Sequence, residues 1–378
     1  MKKIILIQRI ACDYRKEFFE QLYSSLLKDQ IELTLLAGLP WKNEGHMDIL
    51  NQLSFGVRLK NIRLFKNVYW EWGVLSACQG TDLIIFEQAN AALHIYPLLM
   101  RWMGKKTKIA FYGHGAHLNK TTPHPARDTW RRFWSSKVDW WFAYTQLSAD
   151  IVARDGFDLK KITVVENAID TNKLRMTYEA LSETDLIQLS EQLFSELNKN
   201  SKTGVFCARL TELKWIPFLL DTLLKIKEKI PEFRMIIIGE GAGQRQVEKF
   251  SSKNRWCVYL GAKHGVDRVK YLALGDIWLN PGASGLAILD AFALSLPFIT
   301  TDCKLHGPEI AYLEDNENGL ITPTTTELFA HKTVNLLNGK NKLKRMKEKA
   351  RNAGKNYTIE NMVKNFSDGI KSALECYN

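Results

Sequence analysis

The sequence lacks the features of a membrane-spanning protein and of a repeat protein. None of its apolar runs approaches the roughly 20 residues that are needed to cross a bilayer. No segment is repetitive or of low complexity, which argues against a solenoid or an array. The apolar start is interrupted by Gln8, Arg9 and Asp13. We therefore expect a first β-strand of a cytoplasmic protein there, and not a signal peptide.

Cysteines are few and scattered. None of the six belongs to a C-x-x-C motif or to a paired Cys/His spacing: Cys12, Cys78, Cys207, Cys257, Cys303 and Cys376. This absence argues against a structural zinc site and against a disulfide framework, so reduced and mostly buried thiols are expected. No Asp-x-Asp stands at the end of a predicted strand either. We therefore expect neither a bound metal nor a resident cofactor.

Acidic residues are outnumbered by basic ones. The chain has 52 Lys and Arg against 41 Asp and Glu, which gives a net charge of +11. Such a charge attracts a nucleotide, a membrane surface, a phosphorylated glycan or a nucleic acid, and it does not choose among them. The 378 residues exceed what one core usually organises, so two domains are expected.

Short apolar runs alternate with helix-period segments through both halves, which is typical of βαβ units and parallel sheets. The predicted strands are KKIILIQ, IELTLLAG, TDLIIFEQ, KIAFYG, DWWFAY and KITVVENA, then TGVFCAR, FRMIIIGE, CVYLGA, DIWLNP, PFITTD and GLITP. The predicted fold class is α/β, with two doubly wound, Rossmann-like domains facing a cleft. Ligands of such sheets bind beyond the carboxyl ends of the strands.

The predicted domains have distinct boundaries. Residues 1–170 form an N-terminal domain, 171–202 a helical linker or insertion, and 203–357 a C-terminal domain. Residues 358–378 show the apolar spacing of one amphipathic helix, which is expected to return to the N-terminal domain.

The segment ARLTELK (208–214) links a predicted buried strand to a predicted helix. This placement puts Arg209 and Lys214 near free backbone N–H groups and the positive end of the helix dipole, where a bound anion is favoured. The natural ligand is a diphosphate. A plain solvated surface is the alternative for these two side chains.

Two glycine-containing segments follow further strands. Gly239 and Gly241 begin an incomplete dinucleotide fingerprint, so a tight turn beside a nucleotide, or a turn alone, is expected. After the predicted strand DIWLNP, a segment of mostly small residues lets backbone N–H groups approach a sugar-diphosphate. Its residues are Gly282, Ala283, Ser284, Gly285 and Leu286. Asp290 follows one helical turn later, as a binding residue or as a capping or solvent-facing one.

Polar residues also end strands of the first half. His114 follows KIAFYG between Gly113 and Gly115, which permit a close approach. It is expected to hydrogen-bond a sugar hydroxyl, or else to be an ordinary loop histidine. The candidates for the acceptor side are Glu87, Gln88, His117 and Asn119. A polar strand end also needs no function, which is the alternative for Glu87 and Gln88.

Basic and aromatic residues alternate in PARDTWRRFWSSK. Its tryptophans share a helical stripe, and its arginines lie elsewhere on the wheel. This pattern fits an interfacial helix on an anionic membrane. The residues concerned are Arg127, Trp130, Arg131 and Trp134. Core-facing packing of the stripe is the alternative, and nucleic-acid binding is not expected because no recognised motif is present.

Four segments in this order resemble the family-4 glycosyltransferases, which have the GT-B fold. ITVVENAID (162–170) resembles V-x-N-G-x-D, and CARLTELKW resembles G-R-L-x-x-x-K-G. MIIIGEGAG resembles I-x-G-x-G-P, and DIWLNPGASGLAILDAFALSLPFITTD resembles the family's donor-site segment. PGASGLAILDA, followed by HGPE (306–309), resembles in particular a subset of bacterial polysaccharide enzymes.

The resemblance implies a retaining hexosyl- or N-acetylhexosaminyltransferase with a nucleotide-sugar donor, most simply UDP-linked. It implies that Arg209 and Lys214 stabilise the departing diphosphate and that His114 faces the donor sugar. Asp290 then stands at the family's ribose-binding glutamate, and Gly282 replaces a second acid. The implied acceptor is a glycan or lipid-linked glycan of a bacterial O-antigen, capsule or exopolysaccharide, reached from the inner face of the plasma membrane. A GT-B nucleotide-sugar epimerase and a non-catalytic glycan- or membrane-binding protein are the rivals.

Overall fold

The computed structural model describes residues 1–41, 47–100, 107–116, 125–194 and 201–376. The chain divides into two compact units. The N-terminal unit contains the described residues up to Asp170 and those from Ile359 onwards, and the C-terminal unit contains those from Thr171 to Thr358.

Parallel strands form one large sheet in each unit. The strands of the N-terminal unit are β1 Lys2–Ile10, β2 Ile31–Gly38, β3 Gly56–Arg58, β4 Lys60–Phe65, β5 Val68–Trp72, β6 Leu83–Glu87, β7 Lys108–Gly113, β8 Trp140–Ala143 and β9 Ile162–Val164. Those of the C-terminal unit are β10 Lys202–Cys207, β11 Phe233–Ile238, β12 Cys257–Tyr259, β13 Ile277–Leu279, β14 Phe298–Thr301 and β15 Gly319–Thr322.

Helices follow most of these strands. They are α1 Lys16–Lys28, α2 Val74–Ala77, α3 Ile95–Leu99, α4 Pro125–Ser135, α5 Gln146–Arg154, α6 Asn172–Glu179, α7 Glu183–Phe194, α8 Ile216–Lys229, α9 Gln244–Lys253, α10 Val269–Leu272, α11 Ala287–Ala293, α12 Thr326–Asn338, α13 Lys340–Asn356 and α14 Ile359–Glu375. Within the described residues, no helix combines the length and the apolar character that crossing a bilayer requires.

The strand order reverses once in each sheet. The N-terminal order is β3-β2-β1-β6-β7-β8-β9, and the C-terminal order is β12-β11-β10-β13-β14-β15. The reversal lies between β1 and β6 in one sheet and between β10 and β13 in the other. Ligands of doubly wound sheets bind at such switch points. The prediction of two doubly wound, Rossmann-like domains is confirmed.

Each predicted strand overlaps an observed one, because the strands of a sheet that is covered on both faces are continuous apolar runs. β10 shows the reason: residues 203–206 are buried, and β10 pairs along its length with β11. The sequence pattern does not predict the antiparallel hairpin of β4 and β5. Several of its apolar side chains are exposed, so the hairpin lacks the continuous buried apolar run that indicates a strand.

The C-terminal helix α14 belongs to the N-terminal unit, as predicted. Its Phe366 ring stacks on Phe142 at 4.5 Å between centroids and meets Phe18 edge-on at 5.5 Å. The apolar residues of the tail thus form the buried face of α14.

Candidate functional site

The loop after β10 carries the two predicted cations. It leads through a 3-10 turn, Glu212–Lys214, into α8. Lys214 is half-buried, and its Nζ donates a hydrogen bond to the carbonyl oxygen of Ala283. Burial lowers the pKa of Lys214 to about 8. Arg209 lies on the same loop with an exposed side chain. The loop therefore presents one exposed and one partly desolvated cation.

Gly239 and Gly241 bring the next loop close to this one. Their φ angles are 143° and 139°, which L-residues with side chains rarely adopt. A Cβ at Gly239 would lie 1.9 Å from the carbonyl oxygen of Ala208, and one at Gly241 would lie 2.9 Å from that of Leu210. Both glycines thus have a packing role, and their contact with a nucleotide stays a prediction.

The segment between β13 and α11 packs directly on the Lys214 loop. The backbone N–H of Ala283 donates to the carbonyl oxygen of Leu213 at 2.8 Å. A Cβ at Gly282 would lie 2.3 Å from that same oxygen and 2.9 Å from Cα of Lys214. Position 282 therefore has no room for a side chain. This is a physical reason for glycine where the resemblance implies an acid.

Buried polar groups hold this segment in place. Asn280 donates from Nδ2 to the Gly282 carbonyl at 3.0 Å and to Ser284 Oγ at 2.7 Å. His306 Nδ1 accepts from the Ser284 N–H at 3.1 Å, while Nε2 lies 2.8 Å from the Thr301 carbonyl. One accepting and one donating ring nitrogen define a neutral imidazole. Burial lowers the pKa of His306, which agrees with that state. Its role is to fix the Ser284 backbone.

Glu309 adds a carboxylate, and in the sequence it stands out only as part of HGPE (306–309). It is buried within a 3-10 helix, Pro308–Tyr312. A Cβ at Gly285 would lie 3.5 Å from Glu309 Oε2, and one at Gly307 would lie 2.8 Å away. The Gly307 N–H donates to the Ser284 carbonyl at 2.6 Å. The carboxylate therefore lies beside the small-residue segment that follows β13.

Asp290 lies on α11 and does not face solvent. It is buried, and its Oδ1 accepts a hydrogen bond from Arg268 Nη2 at 2.9 Å. The Asp290 carboxylate raises the pKa of Arg268, so the guanidinium stays charged. Solvent exposure as the alternative role of Asp290 is thus wrong, and its contact with a ribose stays a prediction. No sequence pattern pointed to Arg268, because it meets Asp290 only in the folded chain.

A cavity of about 240 Å³ in the N-terminal unit brings predicted residues together. Its lining includes Glu87, Gln88, His114, Tyr112 and Tyr144. Glu87 pairs with Tyr112 in the sheet register, so both lie at the carboxyl edge. The rings of His114 and Tyr144 are nearly edge-on to each other, with 4.6 Å between their centroids.

The other two acceptor-side candidates, His117 and Asn119, lie outside the described residues.

Arg15 contacts two tyrosines of the cavity lining and was not predicted as a site residue. Its guanidinium donates to Tyr112 OH at 2.9 Å, to Tyr144 OH at 3.3 Å and to Asn167 Oδ1 at 3.1 Å. Burial raises the pKa of Glu87, against the lowering effect of the Arg15 charge. A carboxylate with a raised pKa is a stronger proton acceptor than an ordinary one. The cavity can therefore bind and orient a hydroxyl group.

Arg131, one of the residues of the predicted membrane helix, has a structural role in the fold. Arg131 is 7% exposed, donates to the Gly115 carbonyl and pairs with Asp155 at 2.8 Å. Its predicted role at a membrane surface is wrong, because it is buried in the fold. Trp130 and Phe133 are instead 49% and 52% exposed. Core packing of the whole stripe is therefore wrong as well.

The geometry favours anion binding in one unit and hydroxyl binding in the other. Arg209 and Lys214 follow β10, and the small-residue segment follows β13, which is the strand across the reversal of order. Cations and backbone N–H groups at that point suit a phosphate. Among the described residues, no three His, Cys, Asp or Glu side chains are grouped as ligands for a metal ion.

Two parallel-sheet Rossmann-like units define the GT-B class of folds, and the solved structures that resemble this chain belong to that class. Residues 201–339 match the family model Glycosyl transferases group 1. The chain is 24% identical over 311 residues to the UDP-N-acetylglucosamine--peptide N-acetylglucosaminyltransferase GtfA subunit of Streptococcus agalactiae. That match covers 79% of this chain and 58% of the Streptococcus protein, so the chain spans little more than half of it.

Two solved structures illustrate the similarity of fold. A glycosyltransferase from Rickettsia africae ESF-5 has a TM-score of 0.74 at 16% identity, with 100% of this chain and 99% of that chain covered. Anabaena Alr3699/HepE in complex with UDP and glucose has a TM-score of 0.70 at 17% identity, with 98% and 100% covered. Assignment to family 4 in particular stays a prediction.

Proposed function

We propose that this protein is a glycosyltransferase that moves a sugar from a nucleotide-diphosphate donor to a glycan or lipid-linked glycan. The observation that carries the proposal is the interlocked pair of loops that flank the strand reversal of the C-terminal sheet. There Lys214 Nζ donates to the Ala283 carbonyl, and Gly282 leaves no side chain in the way. The match of residues 201–339 to Glycosyl transferases group 1 supports the same activity.

In this proposal the C-terminal unit binds the donor, and UDP is the expected nucleotide because Anabaena Alr3699/HepE was solved with UDP. The bond between the sugar and the diphosphate breaks, and negative charge grows on the departing oxygen. Arg209 and Lys214 stabilise that charge. A bond forms to the acceptor oxygen on the same face, and the acceptor proton passes to the departing phosphate oxygen. Transfer then retains the anomeric configuration.

The acceptor is assigned to the N-terminal unit. Glu87 and Gln88 line the cavity of about 240 Å³, where they would hydrogen-bond acceptor hydroxyls and orient the reacting group. His114 lies in the same lining and is proposed to hydrogen-bond a hydroxyl of the donor sugar. A growing bacterial surface polysaccharide on a lipid carrier fits such a site, with the protein peripheral at the inner face of the membrane. The exposed aromatic side chains of α4 support that location.

Release of UDP from a panel of UDP-sugars, with and without glycan acceptors, tests the activity. Arg209→Ala and Lys214→Ala are each expected to lower the rate of transfer on the order of 100-fold or more, since each removes a donor aimed at developing charge. Arg255→Ala is the matched control, because Arg255 is an exposed arginine of the same unit. Transfer is expected to persist in EDTA. Near-normal transfer in Arg209→Ala or Lys214→Ala, with the fold intact, would contradict the assignment.

The pKa of Lys214 gives a pH signature. The amine is protonated below its pKa of about 8 and loses its charge above it. kcat/KM, which reports the free enzyme, should therefore fall as pH rises through about 8.

Product analysis by NMR separates the rivals. Epimerised donor without any acceptor indicates an epimerase, and glycan binding without nucleotide release indicates a non-catalytic protein.

A further inference from the structure

A groove of about 480 Å³ runs beside α13 in the C-terminal unit. We call it the α13 groove. Its charged lining consists of six cations and two acids: Arg175, Lys202, Lys340, Lys344, Lys347, Arg351, Glu179 and Glu348. The groove thus carries an excess of positive charge.

The α13 groove is separate from the proposed donor site. Lys202 is the first residue of β10, whereas the Arg209 loop follows its last residue, Cys207. A strand rises about 3.3 Å per residue, so the two ends of β10 lie roughly 16 Å apart. The groove is therefore at the amino-terminal edge of the sheet, opposite the edge where donors bind in doubly wound folds.

Among the described side chains, two of the six cations that line the groove pair with acids. Arg351 pairs with Glu179 at 3.4 Å and Lys347 with Asp276 at 2.8 Å. Within the described residues, no acid lies within 4.0 Å of the cationic groups of Arg175, Lys202, Lys340 and Lys344.

The stability of α13 does not account for these charges either. α13 has no acid in its first turn, and Lys340 and Lys344 lie in its first two turns, where the helix dipole repels cations.

We propose that the α13 groove binds a phosphate-bearing ligand, whose phosphate is held by cations of this group of four. Ionised phosphates are the anions that clustered Lys and Arg bind most strongly, through charge-assisted hydrogen bonds. The phosphate belongs to a soluble phosphate ester or to the headgroup of an anionic lipid. The proposal does not depend on the proposed function, because it uses neither Arg209 nor Lys214.

Calorimetric titration of the full chain with inorganic pyrophosphate tests the phosphate contact. Lys340→Gln/Lys344→Gln is compared with Lys342→Gln/Lys355→Gln, which removes the same charge from exposed residues of the same helix outside the groove. Both variants keep the donor-site loops, so pyrophosphate bound there cancels in the comparison. We call Lys340→Gln/Lys344→Gln the groove variant. We expect this variant alone to raise the dissociation constant of the pyrophosphate bound in the α13 groove at least about tenfold, since each lost contact is a hydrogen bond to a charged group.

Co-sedimentation with phosphatidylglycerol vesicles identifies the source of the phosphate, with phosphatidylcholine vesicles as the control. Loss of both pyrophosphate and vesicle binding in the groove variant supports a lipid headgroup. Loss of pyrophosphate binding alone supports a soluble phosphate ester. Equal weakening in the two double variants, or no weakening in either, would overturn the proposal, because the groove would then add nothing beyond the general positive field.

Discussion

At the scale of single residues, the N-terminal unit buries an ionisable pair. Glu71 on β5 is fully buried, and its Oε2 lies 3.5 Å from Nε2 of His94. Burial raises the pKa of Glu71 to about 8 and lowers that of His94 to about 4. At neutral pH both side chains are therefore neutral. Their proximity is not an ion pair, and neither Glu71 oxygen has a hydrogen-bond partner within the described residues.

Glu71→Gln should raise stability at alkaline pH. Glu71 has an ordinary pKa of 4.5 when unfolded and about 8 when folded. Its contribution is therefore fully present below pH 4.5 and is lost as pH rises towards 8, by about 1.4 kcal/mol per pH unit. The urea midpoint of the variant should exceed that of the parent at pH 8 and approach it near pH 5.

Exposed Glu191→Gln is the control and should follow the parent at every pH. Parallel curves for Glu71→Gln and the parent from pH 5 to 8 would show that Glu71 is already ionised in the fold.

Site residues could be predicted where local sequence determines their place. Arg209 and Lys214 stand between a buried strand and a helix, so a loop at a strand end follows from the pattern alone. Arg15 and Arg268 could not be predicted. Each gains its role from partners distant in sequence, as Arg15 does from Tyr144 and Asn167. The spacing of charged residues along the sequence does not indicate such long-range contacts.

At the scale of elements, the end of α11 carries local strain. Ser295 has φ of 57° just after the helix, and the next N–H, of Leu296, returns to the Ala291 carbonyl at 2.9 Å. Helices commonly end this way on a left-handed residue, and that residue is usually glycine.

Ser295→Gly should therefore stabilise the protein. A residue with a side chain pays about 1 kcal/mol in the left-handed region, and the greater freedom of unfolded glycine offsets part of the gain. We expect the free energy of unfolding to rise by about 0.5 kcal/mol. Ser295→Ala keeps a Cβ and should bring no gain. A loss of stability in Ser295→Gly would mean that the Ser295 side chain contributes more than its backbone costs.

Elements were predictable in proportion to how fully they are buried. β10 and β11 are apolar along their lengths, so their sequences indicate strands directly. The β4–β5 hairpin exposes Leu64, Phe65 and Trp72, so these three apolar side chains do not face the core. Its position depends on Tyr69, whose backbone bonds to Ala91 and Leu93. That long-range pairing is invisible in a local pattern.

At the scale of the whole molecule, the net charge of +11 and exposed aromatic side chains coexist. Trp130 and Phe133 lie on the outer side of α4, and Lys137 Nζ lies 4.8 Å from the centroid of the Phe133 ring. Aromatic side chains beside cations suit the interface of an anionic bilayer. Large exposed apolar groups otherwise carry a solubility cost.

Trp130→Ser/Phe133→Ser should weaken binding to phosphatidylglycerol vesicles by about tenfold, because two side chains lose their apolar insertion. Binding of the parent should also fall with added salt, since the attraction of a cationic chain to the bilayer is screened. Leu224→Ser is the control, as Leu224 is a large apolar residue of similar exposure on α8. The double variant should keep its pyrophosphate affinity, because the α13 groove is untouched. Unchanged vesicle binding would instead show that the exposed aromatic side chains of α4 do not insert into the bilayer.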